Sequence, residues 1–376
     1  MYLVEKLYND LVTDPDNKEG RKLIEEYSTT HADEPELIRR TGKDKNGSQC
    51  YRITEAACDD PDGSKVVYRF NDTFIELRTP FDDWRGLITL GAVGGLLPAG
   101  GIGVPMLVTD VIPTLVAGAD LRTGEPLEFI DCLSLTVVLV VVVGWLWAMF
   151  HFGWRIFRLE SFTQRRLLVR FNRRTRKVYV HRPSYAGGIV ELDWECVTNS
   201  VSPRYGRTPG LVLGVPMALM WYPLETPHGR PEMVFVGRCA QSGDELERLW
   251  EFIRRYMEEG PQSVPRPRCI GKFPWPWRSV MASGSLAWPL FKMGGLRWLL
   301  PLVVLVSPAI ACTATGHWIS QLLCWEPVFP RRIRQACGEG IGAVIKARLI
   351  DAGAWLMAAA VGWGLYRFIS SLLAQA

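Results

Sequence analysis

Between Arg155 and Lys177 the chain carries nine basic side chains, Arg155, Arg158, Arg165, Arg166, Arg170, Arg173, Arg174, Arg176 and Lys177, against a single acid, Glu160. Side chains of this kind at this density attract anions, either bilayer phosphates or an acidic protein surface. Each cation near a charged bilayer contributes ~1 kcal/mol to such attraction. Arg165, Arg166, Arg170, Arg173, Arg174, Arg176 and Lys177 are therefore candidate contacts to lipid or to a protein partner. The same run has a plainer explanation, because cations beside an apolar span mark its cytoplasmic side whatever they touch. The Glu258-Glu259 pair at a predicted helix end is a smaller acidic spot that a partner could face.

Other chemistries find little support. There is no GxSxG elbow, no HExxH helix and no P-loop. Gly338-Glu339-Gly340-Ile341-Gly342 superficially resembles a nucleotide loop but follows no predicted strand. The five histidines are scattered, and the nine cysteines form no CxxC pair or zinc-like spacing. An odd cysteine count reads as mostly reduced thiols, with Cys324 and Cys337 the one pair considered for a disulfide. Asp110 and Asp351 fall near span ends, where an acid is hydrated. No catalytic residue, metal ligand or cofactor site is expected. A net charge of +4 is too mild to suggest nucleic acid.

These residues are positioned by strongly apolar segments. Cys132 to Phe150 holds no charge and is long enough to cross a bilayer as a helix. Gly86 to Thr109 is a second uncharged stretch, in which Gly91, Gly95, Ala99 and Gly103 place small groups on one helix face for close helix packing. Pro98 and Pro105 should disturb it. The predicted organisation is an acidic N-terminal cytoplasmic segment (1–85) and a transmembrane hairpin (86–152, spans about 86–109 and 132–152). A cytoplasmic domain follows (153–270), then a Trp-rich interfacial segment with further membrane helices (271–376, about 298–316 and 352–373). If the third stretch spans, Arg331, Arg332, Arg334, Lys346 and Arg348 lie outside, against the cation rule; Pro301 and Pro308 would permit a re-entrant stretch instead. The N-terminus lacks an apolar signal region, so the first span is expected to direct insertion.

Residues 153–270 alternate with period two: Leu167, Val169 and Phe171 one way, Leu168 and Arg170 the other. Val178 and Val180 carry a return strand after a turn at 172–175, and Val190, Leu192 and Trp194 a further one. A helix begins at the capping pair Ser242 and Glu245, buries Leu246, Leu249, Trp250, Ile253, Tyr256 and Met257, and stops at Gly260-Pro261. Antiparallel strands closed by one amphipathic helix give a pleckstrin-homology-like (PH-like) barrel or sandwich. The fold class is thus an α+β membrane protein. It joins a helical hairpin to a helix-capped β domain, and further membrane helices follow.

Four strings, YRFNDTFIEL (68–77), VRFNRRTRKVY (169–179), VELDWE (190–195) and LWEFIRRYMEEGP (249–261), are similar to those of an uncharacterised family of proteobacterial inner-membrane proteins. The resemblance runs over roughly 66–340. It implies a multi-pass inner-membrane protein, no known catalytic residues, and a role near type VI secretion effectors as immunity or accessory protein. The partners it implies are the bilayer and a secreted effector or secretion component. A membrane-anchored lipid-sensing or scaffold protein is the competing expectation.

Overall fold

Strands drawn from both sides of the apolar hairpin build the centre of the molecule. The computed structural model describes residues 3–13, 17–29, 36–37, 50–51, 53–121, 123–200, 214–240, 242–292 and 296–373. The loop expected at 42–50 and the start of the strand expected from Leu211 fall almost wholly outside these. In chain order the strands are β1 (Cys50–Tyr51), β2 (Val67–Phe70), β3 (Phe74–Leu77), β4 (Leu168–Asn172), β5 (Lys177–His181), β6 (Ile189–Asp193), β7 (Thr198–Ser200), β8 (Val215–Trp221) and β9 (Glu232–Ala240). They form two antiparallel sheets, ordered β2-β3-β4-β5-β6 and β1-β7-β8-β9. Neither closes into a barrel, so the barrel form of the expectation gives way to open sheets.

The pairing of β3 with β4, Phe74 opposite Asn172 and Leu77 opposite Val169, joins chain from before the hairpin to chain from after it. Residues 67–77, grouped by sequence with the segment 1–85, are thus integral to the larger sheet. An Arg-Phe-Asn triplet precedes the turn in each of its first two β-hairpins, at 69–71 and 170–172. The asparagine side chains do equivalent work there. Asn71 Oδ1 accepts from the Thr73 and Phe74 amides, and Asn172 Oδ1 from those of Arg174 and Thr175. Such side-chain turns make Asn a favoured turn residue.

Helices α1 (Leu3–Thr13) and α2 (Lys18–Thr29) precede the sheets, and the Tyr8 hydroxyl ties α1 to the Pro231 carbonyl at 2.8 Å. The hairpin begins with α3 (Leu87–Pro98), which continues through π turns at Ala99–Gly103 and Leu107–Val111 as far as Ala117. Pro98, Pro105 and Pro113 each withhold a backbone donor, and the loosened ladder follows from that. The return arm is α4 (Phe129–Ala148), extended through a further π turn to Phe157. Glu128 and Asp131 cap its start reciprocally. Gly100–Ala117 and Phe129–Phe157 are long and apolar enough to cross a bilayer. The first of these is displaced toward the chain's C-terminus from the expected 86–109.

One core lies between the sheets and α5 (Gly243–Glu258). Val169, Phe171, Val178, Val180, Val190 and Leu192 enter it from the large sheet. The small sheet contributes Met217, Leu219, Trp221, Val234 and Val236, and α5 adds Leu246, Leu249, Trp250, Ile253, Tyr256 and Met257 as its spacing predicts. The Ser242 hydroxyl accepts from the Glu245 amide at the head of α5. Gly260, at φ +104°, ends the segment. Glu258 and Glu259 are occupied within the fold: Glu258 accepts from Arg176 and the Trp194 indole, and Glu259 pairs with Arg254.

Beyond the β domain, α6 (Pro276–Lys292) packs along α7 (Leu296–Leu322), and α8 (Arg331–Ala336) and α9 (Gly342–Leu373) complete the chain. The connecting chain returns to the sheet twice. The Ile270 amide bonds to Val67, and Trp325 pairs with Gln164. Phe329, Ile333 and Cys337 then pack on Tyr68, Phe74, Leu168 and Tyr179, the face of the large sheet opposite the core. That face, which alternation alone would leave to solvent, is covered.

Candidate functional site

The covered face of the large sheet holds a cavity of about 450 Å³. Its floor is β2 to β4; its roof is the connector at 269–275, the chain at 326–339 and the first turns of α9. Strand alternation that sends Val169 and Phe171 into the core turns Arg170 toward this cavity, and likewise Glu76 on β3. Both are buried. Arg170 Nη2 meets Glu76 Oε2 at 2.6 Å, and Lys272 Nζ meets Glu76 Oε1 at 2.5 Å. Glu339 receives a guanidinium nitrogen from each triplet arginine, Arg69 and Arg170. The Arg170 guanidinium also lies 4.2 Å from the Phe74 ring centre and 4.3 Å from that of Phe329.

A second part of the network reaches the C-terminal helices. Glu326 lies 3.3 Å from Lys272 Nζ, 3.1 Å from Arg166 Nε and 3.7 Å from Arg165 Nη1. Arg165 is wholly buried, donates to the Gln321 and Cys324 carbonyls, and meets Asp351 of α9 at 3.3 Å. Asp351 in turn accepts from the Glu326 amide at 2.6 Å. Despite its charged neighbours, neither oxygen of Glu326 has a hydrogen-bond partner among the described residues.

The electrostatics follow from burial set against pairing. Burial opposes charge on Glu76, yet Lys272 and Arg170 outweigh it and hold the carboxyl well below the usual range. Burial likewise works against the Arg170 charge, and Glu76 and Glu339 override it, pushing the group upward. Burial lowers His181, which touches Gln164 and the Val328 carbonyl at the edge of this region. Isolated buried charges would cost several kcal/mol each, so the alternation of acid and base keeps the network charged. Among the described residues no cluster has the makings of a metal site.

The sequence-predicted basic residues separate into distinct fates. Arg165, Arg166 and Arg170 are buried in the network. Arg176 pairs with Glu195 and Glu258, and Lys177 lies 4.0 Å from Glu191 and 3.8 Å from Asp193. Arg173 is half-buried against Gly260, and only Arg174 of the seven is exposed. The small-residue stripe also divides. Gly95 faces the return arm, its missing Cβ 3.0 Å from Met149, and Gly103 is buried. Gly91 faces open space, and the Ala99 side chain lies outside the described set. Cys324 and Cys337 are free thiols: Cys324 sits beside Arg85 and the Glu160 carbonyl, Cys337 beside Asn172.

Glu76, Lys272, Glu326 and Glu339 escaped sequence reasoning. One signal bears on two of them: the repeated Arg-Phe-Asn triplet, whose two arginines share Glu339 and the second of which also holds Glu76. The fold and site define a mixed α+β protein with two apolar, bilayer-length helices and a charge-lined pocket on the face of its large sheet opposite the core. Residues 146–340, just over half of the chain, match a family of unknown function, DUF6708, and the chain belongs to that family. No curated protein and no solved structure matches it.

Proposed function

We propose that this chain is a multi-pass protein of the bacterial inner membrane whose β domain, PH-like in layout, faces the cytoplasm and binds a protein partner. The observation that carries the reading is the β3–β4 pairing. With both ends of the apolar hairpin held in one sheet, the chain between them crosses a bilayer an even number of times. Its exposed side chains, Val137, Val140, Val141 and Val143 among them, suit lipid cover.

The same argument bears on the C-terminal third. Ile270 and Trp325 both bond to the sheet region, so the chain between them also leaves and returns on one side. Arg331, Arg332 and Arg334 then lie on the β-domain side. This removes the conflict with the cation rule that a single crossing by the third stretch would create. On this reading α6 and α7 enter the bilayer together and α9 makes the final crossing.

The resemblance to proteins encoded near type VI effectors sharpens the partner to a secreted effector or secretion component, with the chain as immunity or accessory protein. The open edge of the small sheet and the exposed Arg174 at the β4–β5 turn support a protein surface as the means of action. Deleting the gene should make cells sensitive to a sister strain that delivers the effector encoded beside it, and the full-length chain should restore resistance. Unchanged survival of the deletion strain would sink the immunity role.

A further inference from the structure

The cavity on the large sheet has chemistry that its structural ion pairs do not use. Within it Arg69, Arg170 and Lys272 each face a carboxylate. At its rim Arg334 and Lys346 pair with no carboxylate among the described residues. Arg334 donates from Nε to the Phe329 carbonyl at 3.1 Å and from Nη1 to Gly340 at 3.4 Å, and Lys346 is exposed. Deeper in the cavity, Glu326 is 2% exposed, with Lys272 Nζ and Arg166 Nε 3.3 and 3.1 Å from its two oxygens but neither aligned as a hydrogen bond. The cavity therefore combines surplus positive charge at its rim with a wall of ion-paired acids. Its volume suits a small polar group.

Its surroundings identify where such a group would come from. Phe273 and Trp275 form one wall, and Trp275 stacks on the exposed Trp277 with ring centres 4.7 Å apart. Tryptophan collects at headgroup level. The opposite wall is the first turns of α9, through Ala343, Ala347 and Ile350, which lead directly into the apolar part of that helix. We propose that this cavity binds the headgroup of an anionic glycerophospholipid. The phosphodiester sits at Arg334 and Lys346, the rest of the headgroup lies in the polar cavity, and the acyl chains run along α9. A soluble phosphorylated polyol has the same polar chemistry; the aromatic wall and the adjoining apolar helix favour the lipid.

The test uses the full chain, extracted in detergent and examined by native mass spectrometry. Phosphatidylglycerol, phosphatidylcholine and glycerol 3-phosphate are added in separate titrations. Phosphatidylglycerol should remain bound in preference to phosphatidylcholine. Lys346→Gln and Arg334→Gln should each weaken its retention about fivefold. Arg248→Gln, on the α5 side of the core and far from the cavity, should leave it unchanged. Because Arg334 also bonds two carbonyls, Lys346→Gln decides the matter if Arg334→Gln loses its thermal transition. Equal retention of the two lipids, an unaltered Lys346→Gln, or binding of glycerol 3-phosphate without phosphatidylglycerol would each overturn the proposal. The inference rests on the membrane reading, and the two fail differently. A chain recovered without detergent in the soluble fraction refutes that reading, whereas an extracted chain indifferent to headgroup refutes only this one.

Discussion

Glu76 is the residue on which the covered face of the large sheet depends. It is wholly buried and touches both Arg170 and Lys272, so its removal leaves Arg170 to Glu339 and Lys272 to Glu326, each cation with one carboxylate fewer. Breaking one partner out of an isolated buried ion pair costs about 3–5 kcal/mol, and the remaining carboxylates hold the loss below that. Glu76→Gln should therefore lower the thermal midpoint of the extracted protein. Its pH dependence has a definite sign. The folded carboxyl lies below its ordinary value of 4.5, so its contribution is complete above that value and is lost as pH falls through the folded one. Melting curves of the parent should decline as pH drops below that value, while those of Glu76→Gln stay flatter over the same interval. Asn172 offers a milder case. Its side chain accepts two turn amides and donates toward Cys337, and Asn172→Ala should cost ~1–2 kcal/mol, read as a shifted denaturation midpoint. The arginines of this region were legible in sequence as cations and their strand direction as alternation. Their partners were not, because Glu76, Glu326 and Glu339 are distant along the chain and no local periodicity ties them to Arg170 or Arg165.

Among the elements, one close helix contact is not revealed by spacing. Gly86 precedes α3 with φ +105°, and a Cβ there would stand 2.1 Å from the His317 nitrogen of α7. Reciprocally, a Cβ on Gly316 would stand 2.5 Å from the Gly86 oxygen. Two glycines thus let the head of α3 cross α7 backbone to backbone. Glu160, the lone acid in the basic run, reaches across from the end of the hairpin to accept the Gly86 and Thr89 amides at 2.6 and 2.7 Å. It thereby satisfies donors that a helix start leaves open. Gly316→Val should destabilise the protein by about 1–3 kcal/mol through overpacking. Gly91→Val, a member of the predicted stripe that faces open space, should shift stability by no more than ~0.5 kcal/mol. Thermal melts of the two variants beside the parent separate these outcomes, and equal losses would contradict the crossing described here. The stripe was legible as a run of small residues. Which of them meets a neighbour depends on helix rotation, and of the glycines only Gly95 and Gly103 turn inward.

For the whole molecule, the sequence made the apolar segments, the alternating strands and the face of α5 readable, because each follows from a short-range period. It did not reveal that the first hairpin is an insertion within a sheet, since β3 and β4 look like separate domains until their register is seen. Nor did it reveal that 324–341 folds back over that sheet, since a basic, proline-flanked loop carries no mark of its docking face. These long-range pairings fix the expected topology. If the sheet is cytoplasmic, Arg174 at the β4–β5 turn and Arg331 at the head of α8 share one side of the bilayer, and Gly124 between the arms of the hairpin lies on the other. Single cysteines at these positions, in a chain whose nine native cysteines are changed to serine, can be probed in intact cells with a membrane-impermeant maleimide. Gly124→Cys should label from the periplasmic side, and Arg174→Cys and Arg331→Cys only after the inner membrane is opened. Labelling of Arg331→Cys in intact cells would place α8 across the bilayer from the sheet. Phe329, Ile333 and Cys337 could not then pack on Tyr68 and Phe74, and the pocket they enclose would not exist in the membrane-bound protein.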